Sequence, residues 1–440
     1  MSESKSLTLP QVKRMLKRNK KKEVCQTIDN CLVVLRNDPV LQDAIRQNIL
    51  TDRQDIVKDV GWLRSSTTIT DTDYQYIMHY LEHNYGLSVE KKIQAAVKII
   101  ANENQFHPIR DYLSALRWDG EERLPYALSK YLGAEPCAYT TEVLKVFMLG
   151  AISRVFQPGI KFDYMLCLAG GQGAGKSTFF RFLALKDEWF TDDLKHIDKD
   201  DVYLQMRGHW IIEMSEMLAT ANAKSIEEIK SFISRMKETY RTPYDKFPKD
   251  RLRQCVFGGT TNTLSFLPLD RTGNRRFLPV PLHREKAEIH LLANEPASRA
   301  YIEQLWAEVM DIYRSGNFSL DLSPEMEAEA ERLRREFMPE DPKAGMIQAF
   351  LDSYTGKHVC TQLLYKDALK NEFSKPKDWE LKEIGDIMNN SVTGWQKCKN
   401  QRYAEYGTQR SWCRIPKEET VVEQLEFPVI DDANIPAEWE

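Results

Sequence analysis

No run of apolar residues in this 440-residue chain approaches the roughly 20 needed to span a bilayer, so no membrane partner is implied. Nor does an apolar core follow Met1-Ser2-Glu3-Ser4-Lys5, so no signal peptide is read and the chain is expected in the cytoplasm. Its eight cysteines, at 25, 31, 137, 167, 255, 360, 398 and 413, make no Cys-x-x-Cys pair and have no accompanying histidine spacing. That pattern excludes a zinc ribbon and fits reduced thiols, most of them buried. Charge of one sign is not in excess either. With 61 Lys and Arg against 65 Asp and Glu the formal charge is −4, so any nucleic-acid contact must come from local patches. The length allows two or three domains, and a hydrophobic fraction of 42% gives each enough material for its own core.

What is present is concentrated at residues 170–178. They read Gly170-Gly171-Gln172-Gly173-Ala174-Gly175-Lys176-Ser177-Thr178, directly after the apolar segment Tyr164-Met165-Leu166-Cys167-Leu168-Ala169. A buried strand ending at Ala169 and a helix starting near Gly175 make this a phosphate-binding loop: the glycines let the backbone curl, and the first helical N–H groups point at a β-phosphate. Lys176 is expected to bridge the β- and γ-phosphates, and Ser177 to hold Mg²⁺, so ATP with Mg²⁺ is the cofactor to consider.

Around the loop the chain divides into four expected regions. Residues 1–138 read as helical, with Lys13, Arg14, Lys17, Arg18, Lys20, Lys21 and Lys22 crowding a helix that begins near Pro10; a DNA contact and a solvated face both fit that crowding. His107, before a proline, reads as structural rather than as a base. Residues 139–337 carry the nucleotide core. It opens with an apolar helix to Phe156 and continues with strands at 164–169, 210–214 and 253–260 separated by helices, the alternation of a parallel sheet covered by helices. Beyond the Pro-rich hinge Met338-Pro339-Glu340-Asp341-Pro342, residues 338–416 have the order of a winged helix, which can bind DNA, dock protein or be purely structural. The segment 417–440 holds eight acids in its last 23 residues and reads as a flexible tail. The fold class expected is therefore multidomain α/β, with a helical N-terminal region, a P-loop ATPase core of the AAA+ type and a winged-helix-like C-terminal domain.

Hydrolysis needs one acid to organise Mg²⁺ and another to activate water. The strand at 210–214 supplies Glu213, with Glu216 three residues later; the two roles can be assigned either way. Asn262, at the end of the next strand, can bond a γ-phosphate or position water without adding charge. Arg275 and Arg276 precede the strand Phe277-Leu278-Pro279-Val280, where a guanidinium could stabilise transition-state charge in a neighbouring subunit or pair within its own. Between Glu216 and Asn262 nine cations outnumber five acids, with Tyr240, Tyr244 and Phe247 interleaved. Lys230, Tyr244, Lys246, Phe247, Lys249 and Arg251 are the DNA-binding candidates there, against the alternative of a solvated charged face.

Taken in order, the run from His107-Pro108 to Trp118-Asp119-Gly120, Pro158-Gly159-Ile160-Lys161-Phe162-Asp163, the phosphate loop, Glu213-Met214-Ser215-Glu216, Tyr240-Arg241-x-Pro243-Tyr244, Thr261-Asn262 and Gly273-Asn274-Arg275-Arg276-Phe277 resembles the virulence-associated protein E family over about residues 70–285. That family resembles the superfamily 3, AAA+-type helicases of phages and genomic islands. The resemblance implies a ring-forming replicative DNA helicase of a phage or other mobile element, a hexameric homo-oligomer acting on single-stranded DNA, with replication proteins as further partners. The alternatives are a non-translocating ATPase switch that loads or inhibits a replication protein, and a DNA-binding initiator that uses ATP for assembly.

Overall fold

The computed structural model describes residues 7–415 other than 195–196, 198–201, 216–222, 242–246, 264, 270–273 and 372. Two compact units divide the chain, Met1–Pro339 and Glu340–Glu440. In chain order the strands of the first unit are β1 (Ile45–Asn48), β2 (Arg53–Ile56), β3 (Gln105–Phe106), β4 (Met165–Ala169), β5 (Phe190–Thr191), β6 (Ile211–Ser215), β7 (Lys237–Tyr240), β8 (Lys249–Leu252), β9 (Val256–Thr261) and β10 (Phe277–Pro281). No described helix is long and apolar enough to cross a membrane.

The N-terminal lobe of the first unit has its own core, in which Val34, Leu35, Ile77, Leu81, Val97 and Ile100 pack together. Its helices carry a small sheet of order β2-β1-β3, with β1 antiparallel to β2 and parallel to β3. A purely helical region was expected here. Strands as short and polar as Ile-Arg-Gln-Asn and Arg-Gln-Asp-Ile show no alternation a sequence can reveal, and they are held by pairing rather than by pattern. The basic N-terminal helix is also shorter than expected: it spans Leu9–Met15, so Lys17 to Lys22 lie beyond it, in and around a turn closed by the Arg18–Val24 bridge.

The second layer of the unit is a five-stranded, all-parallel sheet of order β10-β4-β9-β6-β5. Every residue of β4 and β9 is buried, the mark of strands covered on both faces. The helix Ala138–Phe156 is buried on nearly every side, which explains its uniformly apolar sequence. It holds the sheet through Arg154. This buried guanidinium donates to the carbonyl of Cys255 at 2.9 Å and to that of Phe162, pinning the entries to β9 and β4; burial pulls its pKa down to about 10.

The second unit has the order helix (Pro342–Ser353), strand β11 (His358–Cys360), a short helical segment through Ala368, helix (Asp378–Asn390), then β12 (Trp395–Tyr403) and β13 (Gly407–Arg414) as a hairpin. Its antiparallel sheet runs β11-β13-β12. The acidic segment 417–440 lies outside the described residues.

Helix Lys176–Leu183, which follows the glycine-rich loop, packs on the sheet through a gap that only glycine leaves. A side chain at Gly258 of β9 would enter the ring of Phe180, itself fully buried. Gly258→Ala is therefore expected to cost about 1–3 kcal/mol by overpacking. Urea unfolding measures it, and wild-type stability would mean that Phe180 has room to turn aside.

Candidate functional site

The loop from Gly170 to Gly175 joins the C-terminal end of β4 to helix Lys176–Leu183. Gly173 and Gly175 take φ values of 77° and 82°, a left-handed conformation that disfavours side chains and turns the chain back so that the helix N-terminus faces the loop. Lys176 is 8% exposed, and its ammonium donates to the carbonyls of Gly170 (2.6 Å) and Gly171 (3.0 Å) and to Oδ1 of Asn262 (2.8 Å). Gln172 and Ser177 are exposed at the mouth of the loop, Ala174 is buried beneath it, and Thr178 is half-buried.

Asn262 reaches Lys176 because β9 lies beside β4 in parallel register, Ala169 opposite Thr261. On the other side of β9, β6 places Glu213 opposite Gly258. Glu213 is fully buried, and its Oε1 accepts hydrogen bonds from Ser177 Oγ (2.7 Å) and Thr260 Oγ1 (2.5 Å). Its Oε2 has no hydrogen-bond partner among the described residues. Burial raises the pKa of this carboxyl; the two hydroxyl bonds oppose the rise and the nearby Asp192 adds to it. A buried carboxylate oxygen without a partner, beside a serine hydroxyl, is the donor chemistry Mg²⁺ takes when phosphates and water complete its shell. Ser177 and Glu213 thus fit a Mg²⁺ ion, while Glu216 lies outside the described residues.

Arg275 and Arg276 stand at the other end of the sheet. Because β10 runs parallel to β4, with Phe277 opposite Met165 and Pro281 opposite Ala169, both arginines sit at the start of the strand, a strand length or about 16 Å from the loop of their own subunit. They differ in what they touch. The Arg276 Nε donates to Ser234 Oγ at 2.7 Å and lies 3.6 Å from Asp163, whereas Arg275 is exposed and its side chain has no hydrogen bond or ion pair among the described residues.

The basic, aromatic segment folds as an antiparallel hairpin of β7 and β8, with Tyr240 opposite Lys249. Phe247 near its tip is 78% exposed; Tyr244 and Lys246 lie outside the described residues. Lys249 and Arg251 project from β8 and are both ion-paired to Asp52 of the N-terminal lobe, at 3.0 and 2.7 Å. Lys230 is a correction to the sequence reading. It sits on helix Ala223–Ile233 with its side chain 5% exposed and its ammonium on Glu227 at 2.9 Å, so a strand on the surface does not reach it. His107 is structural, as expected: its Nδ1 caps helix Pro108–Ala115 by accepting from the Arg110 N–H, which leaves Nε2–H to donate to Gln254.

Three further residues belong to the site. Thr260 shares Glu213 with Ser177. Asp192, just past β5, brings a second negative charge near Glu213. Arg284 follows β10 and lies over the loop, its Nη1 3.0 Å from where a side chain on Gly173 would begin. Only Thr260 had a visible signal, its place one step before Thr261-Asn262; the other two are brought in by strands that reveal their neighbours only on pairing.

A raised carboxyl pKa fixes the sign of a pH effect. The folded protein holds the Glu213 proton more tightly than the unfolded chain does, so the unliganded protein loses stability as pH rises from the ordinary glutamate range through the raised value. Glu213→Gln is expected to remove that loss, melting at least as high as wild type at neutral pH, while weakening Mg²⁺-dependent nucleotide binding by about tenfold or more. Thermal melts across pH, paired with nucleotide titrations with and without Mg²⁺, test both halves; unchanged Mg²⁺ dependence would remove Glu213 from the metal shell.

No curated protein matches the chain. Among solved structures, an A-form apo structure of the NrS-1 C-terminal region is 13% identical, with a TM-score of 0.44 over 84% of this chain and 96% of that one. A second structure, of the same region spanning 305–718, is 12% identical with a TM-score of 0.42 over the same shares. The model of the virulence-associated protein E-like domain matches residues 113–339, a span that holds the glycine-rich loop, Glu213, Asn262 and both arginines and is just over half of the chain. By that match the chain belongs to the virulence-associated protein E-like domain family.

Proposed function

We propose that this protein is an ATP-dependent, ring-forming DNA helicase serving the replication of a phage or other mobile element. One observation carries the reading most: β4, β9 and β6 bring two hydrogen-bonded pairs, Lys176 with Asn262 and Ser177 with Glu213, around the glycine-rich loop, with a buried carboxylate oxygen left for a metal. Lys176 neutralises the β- and γ-phosphates, Ser177 and Glu213 hold Mg²⁺, and Asn262 positions the γ-phosphate or the attacking water. Glu216, Asp192 and Arg284 are candidates for the remaining charges.

The placement of Arg275 supports the ring. An exposed arginine at the far end of the sheet cannot serve its own loop, and if it serves the next subunit's, the contact is head-to-tail and closes as a cyclic oligomer. The β7–β8 hairpin, with Phe247 exposed just before β8 and Lys249 and Arg251 along it, is the element proposed to face single-stranded DNA, through phosphate contacts and stacking. In the C-terminal unit the helix–strand–helix–helix–hairpin order supports a winged helix as a second DNA or protein contact.

Lys176→Ala is expected to abolish ATP hydrolysis in a folded protein. Arg275→Ala should bind nucleotide yet hydrolyse it poorly, and mixing the two variants should recover part of the activity at interfaces where each supplies what the other lacks. Arg276→Ala should instead lower the melting temperature, because its contacts lie within the subunit. Mixed oligomers that form without recovering activity would rule out a finger acting across subunits. Unwinding of forked DNA separates the helicase from a non-translocating ATPase switch or an initiator, which would assemble with nucleotide and leave the fork closed.

A further inference from the structure

Between the N-terminal lobe and the β7–β8 hairpin lies a cleft of about 1080 Å³, at the upper end of or beyond the roughly 300–1,000 Å³ of a small-molecule site. Arg53, Lys98, Arg207, Lys249 and Arg251 line it. Of the acids on its walls, two are engaged elsewhere: Glu238 pairs with the buried Arg253, and Asp250 with Lys237 and Thr239. That leaves Asp52. Its Oδ1 takes Lys249 at 3.0 Å, and its Oδ2 takes the Arg251 fork at 2.7 and 3.0 Å, contacts made across nearly 200 residues of chain.

Arg253, also on the wall, is taken by Glu238, and the charge of Asp52 reaches Arg207 only at longer range. Arg53 and Arg207 form no ion pair among the described residues, although they are close enough for Arg53 to help push the Arg207 pKa below its ordinary value; burial is the larger cause, and Arg251 adds to it. Like charges gathered this way raise each other's energy unless an anion joins them. The aromatic rings keep the guanidinium of β8 in place: Arg251 lies 4.3 Å over the ring of Tyr240, which stacks on Tyr203. Asp52 itself adopts φ 49°, a left-handed backbone that Asp and Asn tolerate better than most residues, at the tip of the β1–β2 turn where Thr51 packs on Gly208.

We propose that this cleft binds the phosphodiester backbone of single-stranded nucleic acid, and that Asp52 holds the site as an internal counter-anion which a strand phosphate must displace. The planar forks of Arg53, Arg207 and Arg251 suit phosphate oxygens, and an open cleft of about 1080 Å³ with several cations on its walls suits a polymer better than a lone ion. Displacement frees Lys249 and Arg251 from the N-terminal lobe, so strand binding loosens the hold of the lobe on the hairpin. The inference rests on the hairpin's being the DNA-facing element.

The test is fluorescence anisotropy of a labelled single-stranded oligonucleotide on the full chain, with melting temperature as the check on folding. Asp52→Asn keeps the backbone conformation and removes the charge; it should tighten binding on the order of threefold to tenfold. Asp52→Gly, which suits the same φ, should do likewise. Arg53→Ala should weaken binding and flatten its salt dependence. If the double variant Lys249→Ala, Arg251→Ala binds weakly while both Asp52 variants bind as wild type, the counter-anion role falls and the hairpin reading stands. Unchanged binding in the double variant overturns both. Unchanged binding in Arg53→Ala, or displacement of the strand by inorganic phosphate alone, overturns the cleft as a strand site.

Discussion

Parallel pairing of β4 with β9, and of β9 with β6, is the constraint on which the site depends. The register that sets Ala169 opposite Thr261 and Ser215 opposite Thr260 brings three strand ends level at one edge of the sheet. The Lys176 side chain then meets Asn262, and those of Ser177 and Thr260 meet Glu213, each through a direct hydrogen bond. Slipping any pair by one residue would turn alternate side chains to the other face and scatter the set. Both faces of the sheet are buried, so a slip would also expose apolar surface, and burial therefore fixes the chemistry as well as the fold.

The same sheet sets a division between ends. The level edge concentrates hydrogen-bond donors and one buried carboxylate, while the opposite edge carries arginines with two different fates. Arg154 and Arg276 are held by carbonyl, hydroxyl and carboxylate groups of their own subunit, and they do structural service by tying the helix Ala138–Phe156 and the strand entries together. Arg275 has no such engagement among the described residues and is exposed. One guanidinium of an adjacent pair thus anchors the fold while its neighbour stays exposed.

The N-terminal lobe joins the sheet-bearing core at a few defined points. Leu50 belongs to the core of the sheet, His107 bonds Gln254, and Asp52 holds β8. The first two are buried and resist opening. The third is a partly exposed ion pair, whose strength depends on salt and on competing anions. Of the three, this partly exposed contact is therefore the one most open to solution conditions.

The glycine-rich loop, with its strand and helix, was legible in the sequence because everything it needs is contiguous: an apolar run, glycines where φ must be positive, and a lysine and serine at the first helical turn. Glu213 and Asn262 were legible one step less directly, each at the end of an apolar strand. The β7–β8 hairpin and the small N-terminal sheet were not, since short polar strands have no period to read. Tertiary structure alone decided that Lys230 is buried, that Arg276 and not Arg275 is engaged within the subunit, and that Asp52 meets Lys249 and Arg251. Local chemistry is written in neighbouring residues, whereas burial and long-range ion pairing depend on which surfaces the folded chain brings together, and no spacing along the chain encodes that.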